Sequence, residues 1–215
     1  MRPSIESRRR RNDAQALPDT AFAPGVDGAD AEVQLMVALR EFDDYTAEHC
    51  EETVSLATTV ARRMGAQPDE ITIIARVARL HDIGKLGVPR EIVLKPGPLD
   101  AEEQELMRAH TRIGGSILEA FPALADVAYA VRHEHERWDG HGYPDGLAAE
   151  DIPLASRIVL ACDAWHAMTS RRPYRLPLTR RAALDQLEQG AGTQFDPAVV
   201  DALLGLLTGD DPRAA

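Results

Sequence analysis

The chain has 215 residues and a formal net charge of −11, which argues against binding duplex nucleic acid, a role that needs a basic face. Hydrophobic residues make up 44% and aromatics only 5%, so one domain with a mostly aliphatic core is expected. No run is long or apolar enough to span a membrane and the start lacks the apolar core of a secretory signal, so cytoplasm is the expected location.

Residues 1–29 read as a disordered basic tail, with Arg8 to Arg11 in one block and few aliphatics. From Ala31 to Met64 the period is helical, and Leu35, Leu39, Phe42, Thr46, His49, Thr53, Leu56 and Val60 share a face. Gly65 ends that helix and Pro68-Asp69-Glu70 starts the next, over residues 70–82. A short helix follows Pro89, and Lys95-Pro96-Gly97-Pro98 forms a rigid turn. Asp100 with Glu103 resembles a capping box for a helix to His110, whose pattern continues through Gly114-Gly115 to Ala120. Another helix is expected from Ala123 to His135, then a loop from Trp138 to Gly146. A buried helix spans Leu154 to Ser170, and two more lie near 179–189 and 197–207. No alternating strand pattern and no repeat appears, and residues 209–215 read as a second tail. Cys50 and Cys162 sit in apolar helical patterns and are expected to be buried, reduced thiols.

Two readings of His81-Asp82-Ile83-Gly84-Lys85 compete. One is a plain helix end, where His favours the dipole and Gly is a common stop. The other is a metal site, since adjacent imidazole and carboxylate donors suit a hydrolytic centre. Of the 24 Lys plus Arg, only Lys85 and Lys95 are lysine, so a compact ammonium at Lys85 reads as a chemical requirement. His49, His81, Asp82, His110, His133, His135 and Asp163 come from several helices and together supply enough donors for two ions. His141 reads as a loop residue and His166 as helix packing.

The segments around these donors resemble, in order, the HD-GYP subgroup of the HD metal-dependent phosphohydrolase superfamily. The matching stretches are His81 to Lys85, Lys95 to Leu99, His110, His135 to Gly140, Gly142-Tyr143-Pro144, Ile152-Pro153-Leu154, Arg157-Ile158, Asp163 and Arg172 to Arg175, within residues 45–205. The resemblance implies an all-α helical bundle over residues 30–208, with the loop and C-terminal helices of that subgroup. It implies hydrolysis of cyclic di-GMP to a linear dinucleotide, with GMP as a further product. It implies two divalent ions, iron or manganese, held by His49, His81, Asp82, His110, His135 and Asp163. Asp82 and Lys85 are then the catalytic residues, and Lys85, Tyr143, Arg172 and Arg175 bind the substrate. Other expectations are an HD enzyme acting on another nucleotide, or a binding module without turnover.

This chain departs from the pattern in places. The family commonly has two adjacent histidines where this chain has Glu134-His135, with its other histidine at His133. Glu134 then offers a harder, anionic donor to the second metal; alternatively it faces solvent and His133 or His135 ligates. Tyr45 stands where trinuclear members carry a glutamate, so no third metal is expected. No sensory domain is legible, and regulatory input is expected through the tail, a protein partner or substrate level.

Overall fold

The structure, a computed structural model, describes residues 28–170 and 176–209. Most of the expected tail, residues 1–27, lies outside the described residues, as do 210–215 and 171–175, with Arg172 and Arg175 among them. The chain order is α1 (Gly28–Phe42), α2 (Asp44–Arg63), α3 (Pro68–Leu80), α4 (Arg90–Val93), α5 (Ala101–Arg108), α6 (His110–Glu119), α7 (Ala125–Arg132), α8 (Leu154–Thr169), α9 (Arg180–Gly190) and α10 (Pro197–Thr208). Short 3-10 turns occupy Ile83–Gly87, Pro122–Leu124 and Ala149–Asp151. The only pairing of strand type among the described residues is an isolated bridge between Ala191 and Phe195. No described helix is long and apolar enough to cross a membrane.

Three expected helices are shorter or divided. The first begins at Gly28 and stops at Phe42, because Asp43 turns extended (φ −155°, ψ 101°) and caps a new helix. Leu39 and Thr46 are buried on either side of that break, so the apolar stripe runs through it unchanged. The helix expected to run through His110 divides at Ala109 into α5 and α6. The helix expected to reach His135 ends at Arg132, and His133 leaves it with φ −104° and ψ 19°. Elsewhere the local signals hold. Gly65 takes φ 85°, beyond the end of α2. Pro68 occupies the first turn of α3 behind a Gln67/Glu70 capping box. Asp100 and Glu103 form the capping box of α5.

The core is aliphatic. Helix α8 buries residues on most of its circumference, Ile158, Val159, Ala161 and Cys162 among them, and packs against α2, α3, α7, α9 and α10. Cys50 and Cys162 are buried free thiols.

One close approach fixes the turn after α3 against the start of α6. A Cβ on Gly84 would lie 1.8 Å from the His110 carbonyl oxygen and 2.5 Å from the Gly114 nitrogen. Both neighbours are backbone and cannot swing aside. Gly84→Ala is therefore expected to destabilise the chain by about 3 kcal/mol or more, the upper end for overpacking. That corresponds to a fall of roughly 6–12 °C in Tm for a domain of this size. Thermal unfolding followed by circular dichroism measures it, and an unchanged Tm would show that the two elements can part freely.

Candidate metal centre

The buried polar groups of the chain gather where α2, α3, α6, α7 and α8 meet. His49 comes from the inward face of α2 and Asp163 from α8, with His49 Nε2 2.7 Å from Asp163 Oδ1. His81 and Asp82 leave the end of α3, with His81 Nε2 3.5 Å from Asp82 Oδ2. His110 opens α6 and puts Nε2 3.9 Å from Asp82 Oδ1. Glu134 and His135 follow α7, and Glu134 Oε1 lies 3.0 Å from His110 Nε2. Two donor sets form: His49, His81 and Asp163, and His110, Glu134 and His135, each with its ligand atoms within 4.8 Å of one another. Cys50 joins His81 and Asp82 in a third, overlapping set.

Helix ends orient the imidazoles. The Nδ1–H of His81 donates to the Ala78 carbonyl at 2.8 Å, and the Nδ1–H of His110 to the Met107 carbonyl at 2.6 Å. In each case the partner is three residues back, one of the carbonyls left over in a last turn. Both rings thus keep a proton on Nδ1 and point Nε2 inward, the orientation a metal-ligating histidine needs.

Charge in the pocket is poorly matched by the protein itself. Burial disfavours the ionised form of Asp82, but Lys85, His81 and His110 outweigh it and hold the carboxyl well below its ordinary range. For Asp163 burial is likewise outweighed, by His49 and His81. Burial lowers the pKa of His135 and favours the neutral ring. Lys85 Nζ donates to Asp82 Oδ2 at 2.6 Å. Burial alone would favour the neutral amine, but Asp82 raises its pKa and keeps it an ammonium. Among the described residues Glu134 has no ammonium or guanidinium beside it; its nearest partner is the His110 imidazole, with Nε2 3.0 Å from Oε1 but outside hydrogen-bonding geometry. Its two oxygens and His110 Nε2 are buried without any hydrogen-bond partner. A buried carboxylate left unpaired is expensive, and a divalent cation beside it would remove that cost. The donor set of imidazole and carboxylate suits iron, manganese or zinc. The residues present therefore fit metal ions, and the solvent-facing alternative for Glu134 is excluded by its 2% exposure.

His133 takes no part. Its Nε2 lies 2.9 Å from Asp145 Oδ2 and its Nδ1–H donates to the Tyr129 carbonyl. Arg132 also donates twice to Asp145, so the pair ties the glycine-rich loop to α7. Glu136, buried among backbone, accepts from the amides of Asp145 at 2.7 Å and Gly146 at 3.0 Å. The Tyr143 amide donates to the His135 carbonyl, and the Tyr143 ring stacks on that of His135 with centroids 5.1 Å apart. Arg108 sits 5.3 Å from the Tyr143 centroid. Trp138 packs beside the Arg157 guanidinium. His141 is an exposed loop residue and Tyr45 is exposed too.

The sequence reading passed over three residues here. Glu136 acts on amides nine and ten positions away, which no local spacing reveals. Arg108 meets Tyr143 only in space. His166, read as packing, places Nδ1 2.6 Å from His49 Nδ1. Its position three residues after Asp163 puts both on one face of α8, a signal that was legible.

The chain belongs to the HD domain family, whose model matches residues 33–199. Its ordered motifs place it in the HD-GYP subgroup. A cyclic di-GMP phosphodiesterase of Thermotoga maritima is 41% identical over 177 residues, covering 81% of this chain and 48% of the relative. The chain spans about half the length of the curated relatives it matches. A solved HDG"Y"P protein from Bdellovibrio bacteriovorus shares the fold at a TM-score of 0.61 and 18% identity, covering 76% of this chain and 52% of that one. A cyclic GMP-AMP specific phosphodiesterase of Vibrio cholerae superposes with a TM-score of 0.53 at 29% identity, covering 88% of this chain and 43% of that one.

Glu136→Gln replaces an anionic acceptor with an amide facing two N–H donors. A hydrogen bond to a charged group contributes about 1.5–3 kcal/mol, so Tm is expected to fall by roughly 3–12 °C. Limited proteolysis should then cut first between Asp139 and Gly146. Unchanged Tm and an uncut loop would show that Glu136 does not anchor it.

Proposed function

We propose that the chain is a metal-dependent phosphodiesterase that opens cyclic di-GMP to a linear dinucleotide, with GMP as a further product. The observation that carries this is the buried carboxylate of Glu134, 3.0 Å from His110 Nε2 with no hydrogen bond made by either group there. In this reading His49, His81 and Asp163 hold one divalent ion, His110, Glu134 and His135 the other, with Asp82 between them. Iron or manganese suits the mixed set, and Glu134 biases it toward the harder manganese. Ions held there would supply Lewis-acid polarisation of a phosphodiester and an acidified attacking water.

The protein's own groups do the rest. Lys85 stays an ammonium because Asp82 holds it, and it presents positive charge beside the donors. Tyr143, stacked on His135 and flanked by Arg108, forms the wall against which a nucleotide lies. Arg172 and Arg175 keep the phosphate-binding role implied by the sequence resemblance. A second substrate, cyclic GMP-AMP, is favoured by the likeness to the Vibrio enzyme.

Purified chain loaded with manganese or ferrous iron is expected to open cyclic di-GMP, with cyclic GMP-AMP assayed in parallel. Faster turnover of the latter would move the assignment to it; metal bound with neither turned over would leave a binding module. Lys85→Ala should keep its metal and lose roughly 10²–10³-fold in kcat, the cost of removing a charge-stabilising donor. Lys85→Arg should recover only part, since a planar fork replaces a point charge. A wild-type rate in the alanine variant would take Lys85 out of the mechanism.

Glu134→His exchanges an anionic oxygen donor for a neutral nitrogen. Metal content after parallel loading should shift from manganese toward iron, with the fold retained. Identical preference in both proteins would place Glu134 outside the coordination set.

A further inference from the structure

Behind His49 lies a chain of hydrogen-bonding groups that the phosphodiesterase reading does not use. His166 Nδ1 is 2.6 Å from His49 Nδ1, with ring centroids 4.5 Å apart. Two imidazole nitrogens at that distance share one proton, so one ring must donate and the other accept. On its far side His166 Nε2 meets the Glu52 carboxylate in a short contact, and Ser170 Oγ lies 2.9 Å from the same nitrogen. A carboxylate can only accept, so it holds the His166 proton on Nε2. Ser170 Oγ can accept from the same N–H. His166 Nδ1 is then a bare lone pair, and the shared proton belongs to His49 Nδ1.

The consequence falls on the other side of the His49 ring, where Nε2 sits 2.7 Å from Asp163 Oδ1. If His49 carried its proton there, Nε2 would be a donor to Asp163 and could not ligate. We propose that His166 is a positioning residue: its Nδ1 accepts the Nδ1–H of His49 and so fixes the tautomer whose Nε2 lone pair faces the metal centre, with Glu52 setting the tautomer of His166 in turn. His81 and His110 achieve the same orientation with backbone carbonyls. His49 lies mid-helix, where its own turn's carbonyls are engaged, and a side chain from α8 does the work instead. The inference rests on the metal-centre reading of His49. A conserved partner of this kind is worth roughly 10–100-fold in metal affinity where it has been removed.

Zinc, diamagnetic and compatible with this donor set, is the probe. Long-range nitrogen–proton spectra of the nitrogen-labelled full chain should place the ring proton of His49 on Nδ1 and that of His166 on Nε2 once zinc is bound. His166→Leu, which has no acceptor, should bind zinc roughly 10–100-fold more weakly. His166→Asn, whose amide oxygen can take the place of Nδ1, should recover most of that loss, and Glu52→Ala should give a smaller one. A His166 proton on Nδ1 in the zinc-loaded protein overturns the proposal, as does a leucine variant that binds zinc like wild type. If the leucine variant fails to fold, the wild-type spectrum and the asparagine variant still decide. Zinc that leaves the His49 Nε2 resonance unmoved overturns the metal-centre reading and this inference with it. A zinc-shifted His49 beside a wrongly protonated His166 overturns this inference alone.

Discussion

The structure turns on one imbalance of charge. Asp82, Glu134 and Asp163 are brought together in a largely buried pocket with Lys85 as their ammonium. Burying carboxylates costs several kcal/mol each unless cations or donors meet them. Lys85 meets Asp82, and Asp163 faces His49 Nε2 at 2.7 Å, an atom that cannot donate to it in the tautomer fit for ligation. Glu134 meets nothing that donates to it in good geometry. A fold selected only for stability would not keep that group, because an apolar residue of similar size would be cheaper there. That cost is what the proposed function accounts for, by giving the buried acid a cation as its partner.

Helix termini are how the fold brings these donors together without disturbing its aliphatic core. His81, Asp82, His110, Glu134 and His135 all lie at or just beyond an end of α3, α6 or α7. There the last carbonyls are free to hold an imidazole Nδ1–H, and the chain can aim a side chain off the helix axis. The close contact of Gly84 with the backbone of His110 and Gly114 is what lets two such ends approach. Only His49 and Asp163 come from helix interiors, and they face each other across α2 and α8.

Much of this was legible in the sequence because its signals are local. The helix start at Pro68, the capping box at Asp100/Glu103, the turn at Gly65 and the apolar run of α8 each act over a few residues. The breaks at Asp43 and Ala109 were not legible: buried Leu39 and Thr46 keep the apolar rhythm across the first, and at the second Ala109 stays in the right-handed helical region, so no local signal marks it. His81-Asp82 announced itself by adjacency. Glu134 was readable as a donor only through its place beside His135, and burial decided between ligand and solvent. Glu136 acts on amides nine and ten positions on, which no spacing rule reveals, whereas the spacing of His166 after Asp163 shows their shared face but not its partner His49 on α2.

The same charge imbalance bears on the order of events. With the imidazoles neutral, as ligation requires, three carboxylates against one ammonium leave the pocket negative, inside a chain whose net charge is −11. A cyclic dinucleotide carries two phosphodiester charges of the same sign. Lys85 cannot reverse that field, because its charge is largely spent on Asp82 at 2.6 Å. Arg108 lies over the Tyr143 ring, 5.3 Å from its centroid. On the proposed function, attraction for an anionic substrate thus has to come after the pocket has taken up its cations, so that metal occupancy would gate binding and not only the chemical step. In that light Glu134 has two effects of opposite sense: it strengthens the hold on a divalent ion, and it weakens the positive field the loaded pocket can then offer to phosphate.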